Sequence, residues 1–348
     1  MASPNNISIY YVGVFKKDKL VGIALVQHVK VYVKDMFQRK SHSTLKTFFR
    51  DSLSRVLRGN ILVVGNLTHT GQHGMGLLES EISIEDYLNT VMKSLEHVED
   101  IITEKIGKKI KLVLLKDFFL DDKINEFTRV FHSGQFGKVI VQPNMIMKVE
   151  PQWHSIEGYV NSLNTKYRTR YRRARKKFGN FEKREFDKNT VKRYSKELHQ
   201  LYSNVSDNAK FNTFFLPQSH FLSLKNELLE NLKVFGYFQE DALIGFYTLI
   251  VNHKVLETYF LGYDFDHQHP NQLYLNMLYD MLDFAITNNF ESVVYARTAM
   301  EIKSSVGAEP NEMVMYIKHT NRFVNFLLKH IFNFMKPNQK WEVRHPFK

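Results

Sequence analysis

Three charged residues, Arg297, Glu301 and Lys303, follow closely on the apolar run 292–295, which is typical of a buried strand. Because α/β folds bind ligands in loops at strand ends, these side chains are candidates for chemistry. Glu301 could take a proton from an amine, and Lys303 or Arg297 could hold a carboxylate, a phosphate or a developing oxyanion. The alternative is a structural ion pair between Glu301 and one of the two cations.

A second polar cluster follows the apolar run 61–64 and combines three glycines with His69 and His73. Glycine lets backbone N–H groups approach a ligand closely, and histidine can carry a proton at neutral pH. Either His73 or His69 could do so, with Asn66 and Thr70 beside them. A structural turn with ordinary surface histidines explains the same residues.

The segment 166–177 contains eight Lys or Arg residues within twelve positions of a predicted helix. Neighbours three and four positions apart share a helix face, so this basic helix could bind phosphates or an acidic carrier protein. The alternative is the solvated face of a connecting helix. The cations considered for donor or carrier binding are Lys166, Arg168, Arg172 and Arg173.

The composition indicates how many domains the chain could form and excludes several kinds of site. A chain of 348 residues with 43% hydrophobic residues is large enough for two domains with separate cores. The absence of Cys excludes disulfides, thiolate metal sites and a cysteine nucleophile. Among fifteen histidines, the close pair His267 and His269 lacks a carboxylate pattern, so no metal site is predicted.

The formal net charge of +12 favours anionic partners, such as nucleic acid, a lipid surface, phosphorylated cofactors or an acidic carrier. Neither a secretory signal nor an apolar run long enough to span a bilayer is evident. The predicted location is cytoplasmic, either free or peripheral at the inner face of the membrane.

The elements that must position these residues include two copies of one strand-turn-strand phrase. Each copy joins two apolar strands through a charged turn, which predicts a hairpin with one buried face. The repeat indicates a duplication. Four identities fall in register: Gly13 with Gly236, Phe15 with Phe238, Leu20 with Leu243, and Gly22 with Gly245.

The other elements follow from hydrophobic periodicity. The predictions are a polar-faced helix or lid over 40–58, a helix over 84–106 capped by Ser83, a strand over 110–115, two short strand-like runs within 138–149 broken at Pro143, a helical segment over 155–178, and the order β, β, β, α, β, α from residue 234 onward. The apolar helix over 320–334 could lie on a membrane or, as favoured here, be buried in the second half.

Several of these segments together resemble the Fem-like branch of the GNAT acyltransferase superfamily. The resemblance covers nearly the whole chain and implies an α/β fold of two tandem GNAT-like domains, 1–150 on the acceptor side and 181–348 on the donor side, joined by the basic helix within 151–180. It rests on the two hairpins, on Trp153, Tyr159, Leu163 and Lys166-Tyr167-Arg168, on the run from Tyr295 to Pro310, and on Arg344-His345-Pro346-Phe347.

The resemblance also implies roles for individual residues. Glu301, Lys303 and His73 are the expected catalytic residues. The residues expected to bind substrate are Asn66, Thr70, Arg297 and Tyr263.

The donor is expected near Asn271 and Tyr274, where an ordinary GNAT protein carries a glycine-rich pyrophosphate loop. No Gly stands between Asp264 and Tyr274, which argues against coenzyme A held by backbone N–H groups at that helix N-terminus. Fem-like relatives share this loss and use donors bound to a carrier.

The lead functional prediction is an N-acyltransferase that moves an acyl group from acyl-CoA or acyl carrier protein to a primary amine of an amino acid or amino-lipid, with no tightly bound cofactor. The second is a Fem-type transferase that uses aminoacyl-tRNA to extend a peptidoglycan precursor. The third is a non-catalytic protein that binds RNA or a membrane through the basic helix.

Overall fold

The computed structural model describes residues 4, 6–31, 59–208, 214–334 and 341–348, so the helix or lid predicted over 40–58 lies outside the described residues. The mixed α/β fold is confirmed. The strands are β1 (Ile7–Lys16), β2 (Lys19–Val31), β3 (Gly59–Val64), β4 (Met75–Leu77), β5 (Ile110–Phe119), β6 (Gly137–Lys148), β7 (Glu182–Glu185), β8 (Leu232–Gln239), β9 (Ala242–Asn252), β10 (Val255–Tyr263), β11 (Ser292–Ala296) and β12 (Glu309–His319).

The described helices lie between and beside these strands. They are α1 (Ile84–Ile106), α2 (Thr128–Ser133), α3 (Ile156–Ser162), α4 (Thr165–Phe178), α5 (Lys188–Arg193), α6 (Ser195–Asp207), α7 (His220–Leu228), α8 (Phe265–Asn271), α9 (Leu273–Thr287), α10 (Met300–Ser304) and α11 (Arg322–Phe334). None of them combines the length and the apolar character needed to cross a bilayer.

The strands form one sheet of twelve in the order β1-β2-β3-β5-β12-β6-β11-β10-β9-β8-β7, with β4 paired to β2. Strand β12, from the second half of the chain, lies between β5 and β6 of the first half and is antiparallel to both. The two halves therefore share a continuous backbone hydrogen-bond ladder.

The two repeated phrases form hairpins with the same register. In β1–β2, Val14 faces Gly22 and Phe15 faces Leu20, and the corresponding residues of β8–β9 pair in the same way, with the same single-residue bulge. Positive φ angles at Lys17, Asp18 and Glu240 close the turns, as tight hairpin turns require. The predicted hairpins are confirmed.

Helix α1 is confirmed at its predicted bounds. The Ser83 hydroxyl accepts a hydrogen bond from the amide of Asp86, and Gly107 ends the helix in the left-handed conformation. Its apolar stripe, which includes Tyr87, Leu88 and Val91, is buried against the first half of the sheet. Helix α9 does the same for the second half, with most of its side chains buried.

Two predicted boundaries are wrong. Strand β6 runs unbroken through Pro143, because its pairing with β11 covers only residues from Met145 onward and its register with β12 shifts between Asn311 and Met313. Proline, which has no N–H, is tolerated where the ladder is interrupted. The helical segment over 155–178 divides at Leu163, which pairs with Phe347, and Asn164 then caps α4.

Strands β10 and β11 of the second half separate next to the site. Parallel pairing of β10 with β11 covers only Val255 to Glu257, opposite Ser292 to Val294. Beyond it, β10 carries a register shift between Thr258 and Leu261. Beyond Glu257 the two strands are no longer paired, and the segment after β11 begins where they separate.

Candidate functional site

The chain leaves β11 through a strained turn. Ala296, Thr298 and Ala299 all have positive φ, which is uncommon for residues other than glycine and clusters at functional sites. The Lys303 ammonium or amine donates hydrogen bonds to the carbonyls of Ala296 at 3.2 Å and Arg297 at 2.6 Å, and so holds the turn.

Lys303 is only 4% exposed, and burial lowers its pKa from 10.5 to about 7. No carboxylate among the described residues forms an ion pair with it, so no opposite charge offsets the loss of hydration. A large fraction of Lys303 is therefore the free amine at neutral pH.

Arg297 binds a carboxylate from the first half of the chain. Its guanidinium pairs with Asp117 of β5, which is fully buried, and the other oxygen of Asp117 lies 2.5 Å from the Lys116 Nζ. Burial lowers the pKa of Lys116 despite this neighbour. The cluster links β5 to the turn after β11.

The loop 65–74 completes the cluster. Lys116 donates hydrogen bonds to the carbonyls of Asn66 at 2.7 Å and His69 at 2.9 Å, and the amide of Gly71 donates to Asp117 at 3.3 Å. This loop of the first half therefore rests on the same charged residues that hold Arg297.

The two histidines of this loop reach β10 of the second half. The Nε2 atoms of His69 and His73 lie 2.5 and 2.9 Å from the same oxygen, Oε2 of Glu257, which is 3% exposed. His73 Nε2 also lies 3.2 Å from the Thr70 carbonyl. Glu257 is the last residue of β10 that pairs with β11, so this contact lies where the strands part.

The predicted substrate residues have unequal surroundings. Arg297, Asn66 and Thr70 belong to the connected cluster, together with His73, which was predicted to be catalytic. The Asn66 side chain accepts hydrogen bonds from Thr68 within the loop. Tyr263 is half-buried at the end of β10, its ring 6.4 Å from that of Tyr274.

Glu301 is exposed on α10 and lies outside this chain of contacts. Its carboxylate is 2.5 Å from the guanidinium of Arg344, a cation that the sequence argument had not considered as its partner. The expected alternative, a pair with Arg297 or Lys303, is absent among the described residues.

Sequence reasoning missed Asp117, Lys116 and Glu257. Glu257 is a lone acid in an otherwise apolar strand, and Lys116-Asp117 directly follows a predicted buried strand. A charge at such a position needs buried partners, and that requirement is the signal that could have found all three.

The donor side differs from an open pyrophosphate loop. Helix α8 lies directly before α9, and the Gln268 side chain accepts a hydrogen bond from the Tyr274 amide at 2.9 Å. The Asn271 side chain donates to the carbonyl of Lys177 at the end of the basic helix α4. The Tyr274 N–H is one of the groups that would bind a pyrophosphate at this helix end, and it already donates its hydrogen bond to Gln268.

The basic helix α4 is anchored through part of its charge. Arg175 pairs with Asp280 of α9 at 2.8 Å, and Arg168 donates to the carbonyl of Leu163 at 2.9 Å. Five other cations are exposed, and no carboxylate of the described residues forms an ion pair with them: Lys166, Arg172, Arg173, Lys176 and Lys177. These five residues are called the basic face below.

A cavity of about 430 Å³ lies in the first half beside the loop 65–74. Its walls combine aromatic rings, such as Tyr87 and Phe118, with charged groups. Three carboxylates, from Glu79, Asp121 and Asp122, and two lysines, Lys116 and Lys123, line it. The lining therefore carries a small excess of negative charge, which suits an ammonium group.

Three solved structures are similar to this chain over most of its length. FemX has a TM-score of 0.56 and 11% identity, covering 93% of this chain and 91% of that one. L-PGS from Bacillus licheniformis has a TM-score of 0.51 and 10% identity, covering 94% and 89%. A tandem GNAT protein from the clavulanic acid biosynthesis pathway, solved without AcCoA, has a TM-score of 0.50 and 8% identity, covering 91% and 84%.

No family model and no curated protein matches the sequence. At these identities the three structures establish the fold alone. At that level they confirm the resemblance to Fem-like and tandem GNAT proteins.

Proposed function

We propose that this chain is an amide-forming acyltransferase that moves an acyl group from a thioester donor to a primary amine. The observation that carries the proposal is the buried, unpaired Lys303 in a strained turn where β10 and β11 part. Strongly shifted pKa values at a cleft are typical of groups that transfer protons. The GNAT-type fold supports the same class of reaction.

In this proposal the two halves are tandem GNAT-like units joined by α4. The acceptor amine binds in the cavity of the first half, where the excess of carboxylates attracts an ammonium group. The acyl chain of the donor lies where β10 and β11 separate. Arg297 binds the carboxylate or phosphate of a substrate close to the reacting centre.

In this reaction Lys303 accepts a proton and later returns it. Its free amine takes a proton from the acceptor ammonium, and the resulting amine attacks the thioester carbonyl. The irregular stretch of β10 between Thr258 and Leu261 provides backbone N–H groups for the oxyanion. The C–S bond then breaks, Lys303 returns its proton to the leaving thiolate, and the nitrogen of the new amide releases its extra proton to water. Glu301 is the second candidate base, although Arg344 already holds its carboxylate.

An acidic carrier is the preferred form of the donor. Helix α8 caps the start of α9, which disfavours coenzyme A bound in the usual way, whereas the basic face offers five exposed cations to an acidic protein surface. The substrate proposed for the acceptor is an amino acid or amino-lipid.

A second candidate is transfer from aminoacyl-tRNA. The basic face favours it, because exposed cations on one helix bind phosphates without sequence preference. Strong dependence on salt and on the tRNA, with no reaction from acyl carrier protein, would select this candidate.

The test is mass spectrometry of products formed by the purified protein. Long-chain acyl-CoA, acyl-acyl carrier protein and aminoacyl-tRNA are offered separately against pooled amino acids and amino-lipids. An N-acyl product that is lost in Lys303→Met and kept in the exposed control Lys254→Met is the expected result. Product formation that is unchanged in Lys303→Met and lost in Glu301→Gln would transfer the base role to Glu301. No product with any donor would overturn the proposal in favour of a binding protein.

A further inference from the structure

His69, His73 and Glu257 bring three metal-ligand atoms close together. Their ligand atoms all lie within 4.8 Å of one another, and among the described residues no other group of three His, Cys, Asp or Glu side chains does this. The carboxylate comes from β10 and the imidazoles from the loop 65–74, so the cluster joins the two halves of the chain.

Hydrogen bonding alone does not account for this arrangement. Both Nε2 atoms are directed at Oε2 of Glu257, a buried oxygen that accepts no well-directed hydrogen bond. Burial raises the pKa of this carboxyl, but the contacts with His69 and His73 outweigh burial and hold the pKa well below its usual value. The carboxylate is therefore ionised, and a cation at the point where the three atoms converge would give each of them a well-directed partner.

The surrounding residues fix the three ligands. Asn252 donates a hydrogen bond at 2.7 Å to Oε1 of Glu257 and so orients the carboxylate toward the histidines. The loop depends on glycine, because Gly71 has a φ of +126° and a Cβ there would lie 2.6 Å from His73 Nε2. A Cβ on Gly74 would lie 2.2 Å from the Cα of Gly65. The backbone is therefore folded tightly enough to direct both rings at β10.

We propose that His69, His73 and Glu257 bind one divalent transition-metal ion, Zn²⁺ in the first instance, at the junction of the two halves. Two imidazoles and one carboxylate are a ligand set that zinc uses when a fourth position stays open. Ligand atoms on one zinc lie about 3.3 Å apart. The observed 2.5 and 2.9 Å contacts therefore open by less than about 1 Å on binding, and the contact of His73 with the Thr70 carbonyl is released.

The fourth ligand is predicted to be an anion. The metal and its three ligands carry one net positive charge when both imidazoles are neutral, and the adjoining cluster of Lys116, Arg297 and Asp117 carries another. Hydroxide, or a carboxylate or phosphate of a bound substrate, offsets this charge. His73, with 28% of its side chain exposed against 9% for His69, marks the open side of the site.

The experiment is metal binding by the full-length protein, which requires no substrate and is independent of the acyltransferase proposal. Chelator-treated protein is titrated with Zn²⁺ and with Co²⁺, whose visible absorption reports the ligand geometry. One equivalent is expected, with a rise in Tm that a chelator reverses. Amides of the loop 65–74 should exchange hydrogen more slowly in the metal-bound protein.

The variants separate this site from adventitious binding. Glu257→Gln and His73→Asn should each weaken Zn²⁺ binding at least 100-fold, and Asn252→Ala about tenfold. The double variant His267→Asn/His269→Asn removes two other histidines close in sequence and should bind normally. Less than half an equivalent of metal in the wild-type protein, or equal binding in all variants, would overturn the proposal. Circular dichroism verifies folding, and His73→Asn, at the more exposed ligand, keeps the test valid if Glu257→Gln does not fold.

Discussion

Replacing Lys303 by methionine should change how stability depends on pH. Methionine keeps the length of the side chain and removes the amine, whose pKa burial lowers from 10.5 to about 7. One pKa unit corresponds to about 1.36 kcal/mol. Relative to an exposed lysine, the buried group therefore destabilises the protein by about 4 kcal/mol at pH 7.5 and about 1.4 kcal/mol at pH 9.5.

The direction in which stability changes with pH follows from the number of protons that the folded and unfolded states bind. The unfolded chain binds this proton below pH 10.5, but the folded protein binds it only below about pH 7. As pH rises from 7 to 10.5, the unfolded state loses its advantage and the folded state gains stability. Below pH 7 both states are protonated, so the contribution is constant. The hydrogen bonds to the carbonyls of Ala296 and Arg297 that methionine loses add an offset that changes little with pH.

The assay is urea unfolding of wild type and Lys303→Met at several pH values between 7.5 and 9.5. The free energy of unfolding of wild type should rise relative to the variant by about 2.5 kcal/mol over this interval. Lys254→Met, at an exposed lysine, should show no such trend. A constant difference between wild type and Lys303→Met would mean that Lys303 stays charged throughout, and its role as a base would have to be abandoned.

Three further predictions concern the architecture around the site. Arg297→Met should lower the free energy of unfolding by about 3 kcal/mol, because it removes one of the two cations that pair with the buried Asp117 and leaves Lys116 and the Gly71 amide to compensate. Gly262→Ala should cost about 3 kcal/mol or more, because a Cβ there would lie 2.3 Å from the backbone of Leu201 in α6. Charge reversal of the basic face should lower kcat/KM for an acidic carrier donor about tenfold or more and flatten its salt dependence. The substitutions are Arg172→Glu, Arg173→Glu and Lys176→Glu.

Each of these has a matched control. Arg344→Met breaks an exposed pair with Glu301 and should change the free energy of unfolding much less, because solvent screens such pairs. Gly76→Ala should have an effect within about 1 kcal/mol, because its Cβ would come no closer than 3.8 Å to Ile23. The triple charge reversal should leave activity on a small free thioester nearly unchanged. Equal losses in a variant and its control would show that the structural reasoning for that position is wrong.

The parts of the fold that the sequence predicts are those with local signals. Helix α1 is capped by Ser83 at its start and by Gly107 at its end, and its apolar spacing is regular, so its bounds match the prediction. The hairpins repeat with their bulge at equivalent positions, next to Gly22 in one and Gly245 in the other. In each case the determining contacts lie within a few residues or one turn.

Long-range pairing was not predictable in the same way. Nothing in the residues 309–319 indicates that they form a strand between β5 and β6, because this partner choice depends on both strands at once. Pro143 is acceptable in β6 only because the register shift of β12 falls opposite it. A rule for proline applied to one strand cannot anticipate an irregularity in its neighbour.

The candidate site likewise combines residues that the local sequence indicates with partners that it does not indicate. His69 and His73 attract notice as histidines among glycines, and Lys303 and Arg297 as cations after a strand, but their partners Glu257 and Asp117 lie inside strands far away in sequence. A single acid in an apolar strand is destabilising unless opposite charge or a metal ion surrounds it. Each acid has contacts within its own half and at least one ion-pair contact from the other half, Asp117 with Arg297 and Glu257 with His69 and His73, so neither half alone supplies all of their partners. The two halves must therefore pack against each other for the site to be stable. Separating the halves would remove partners of both buried carboxylates, so both should become destabilising at once.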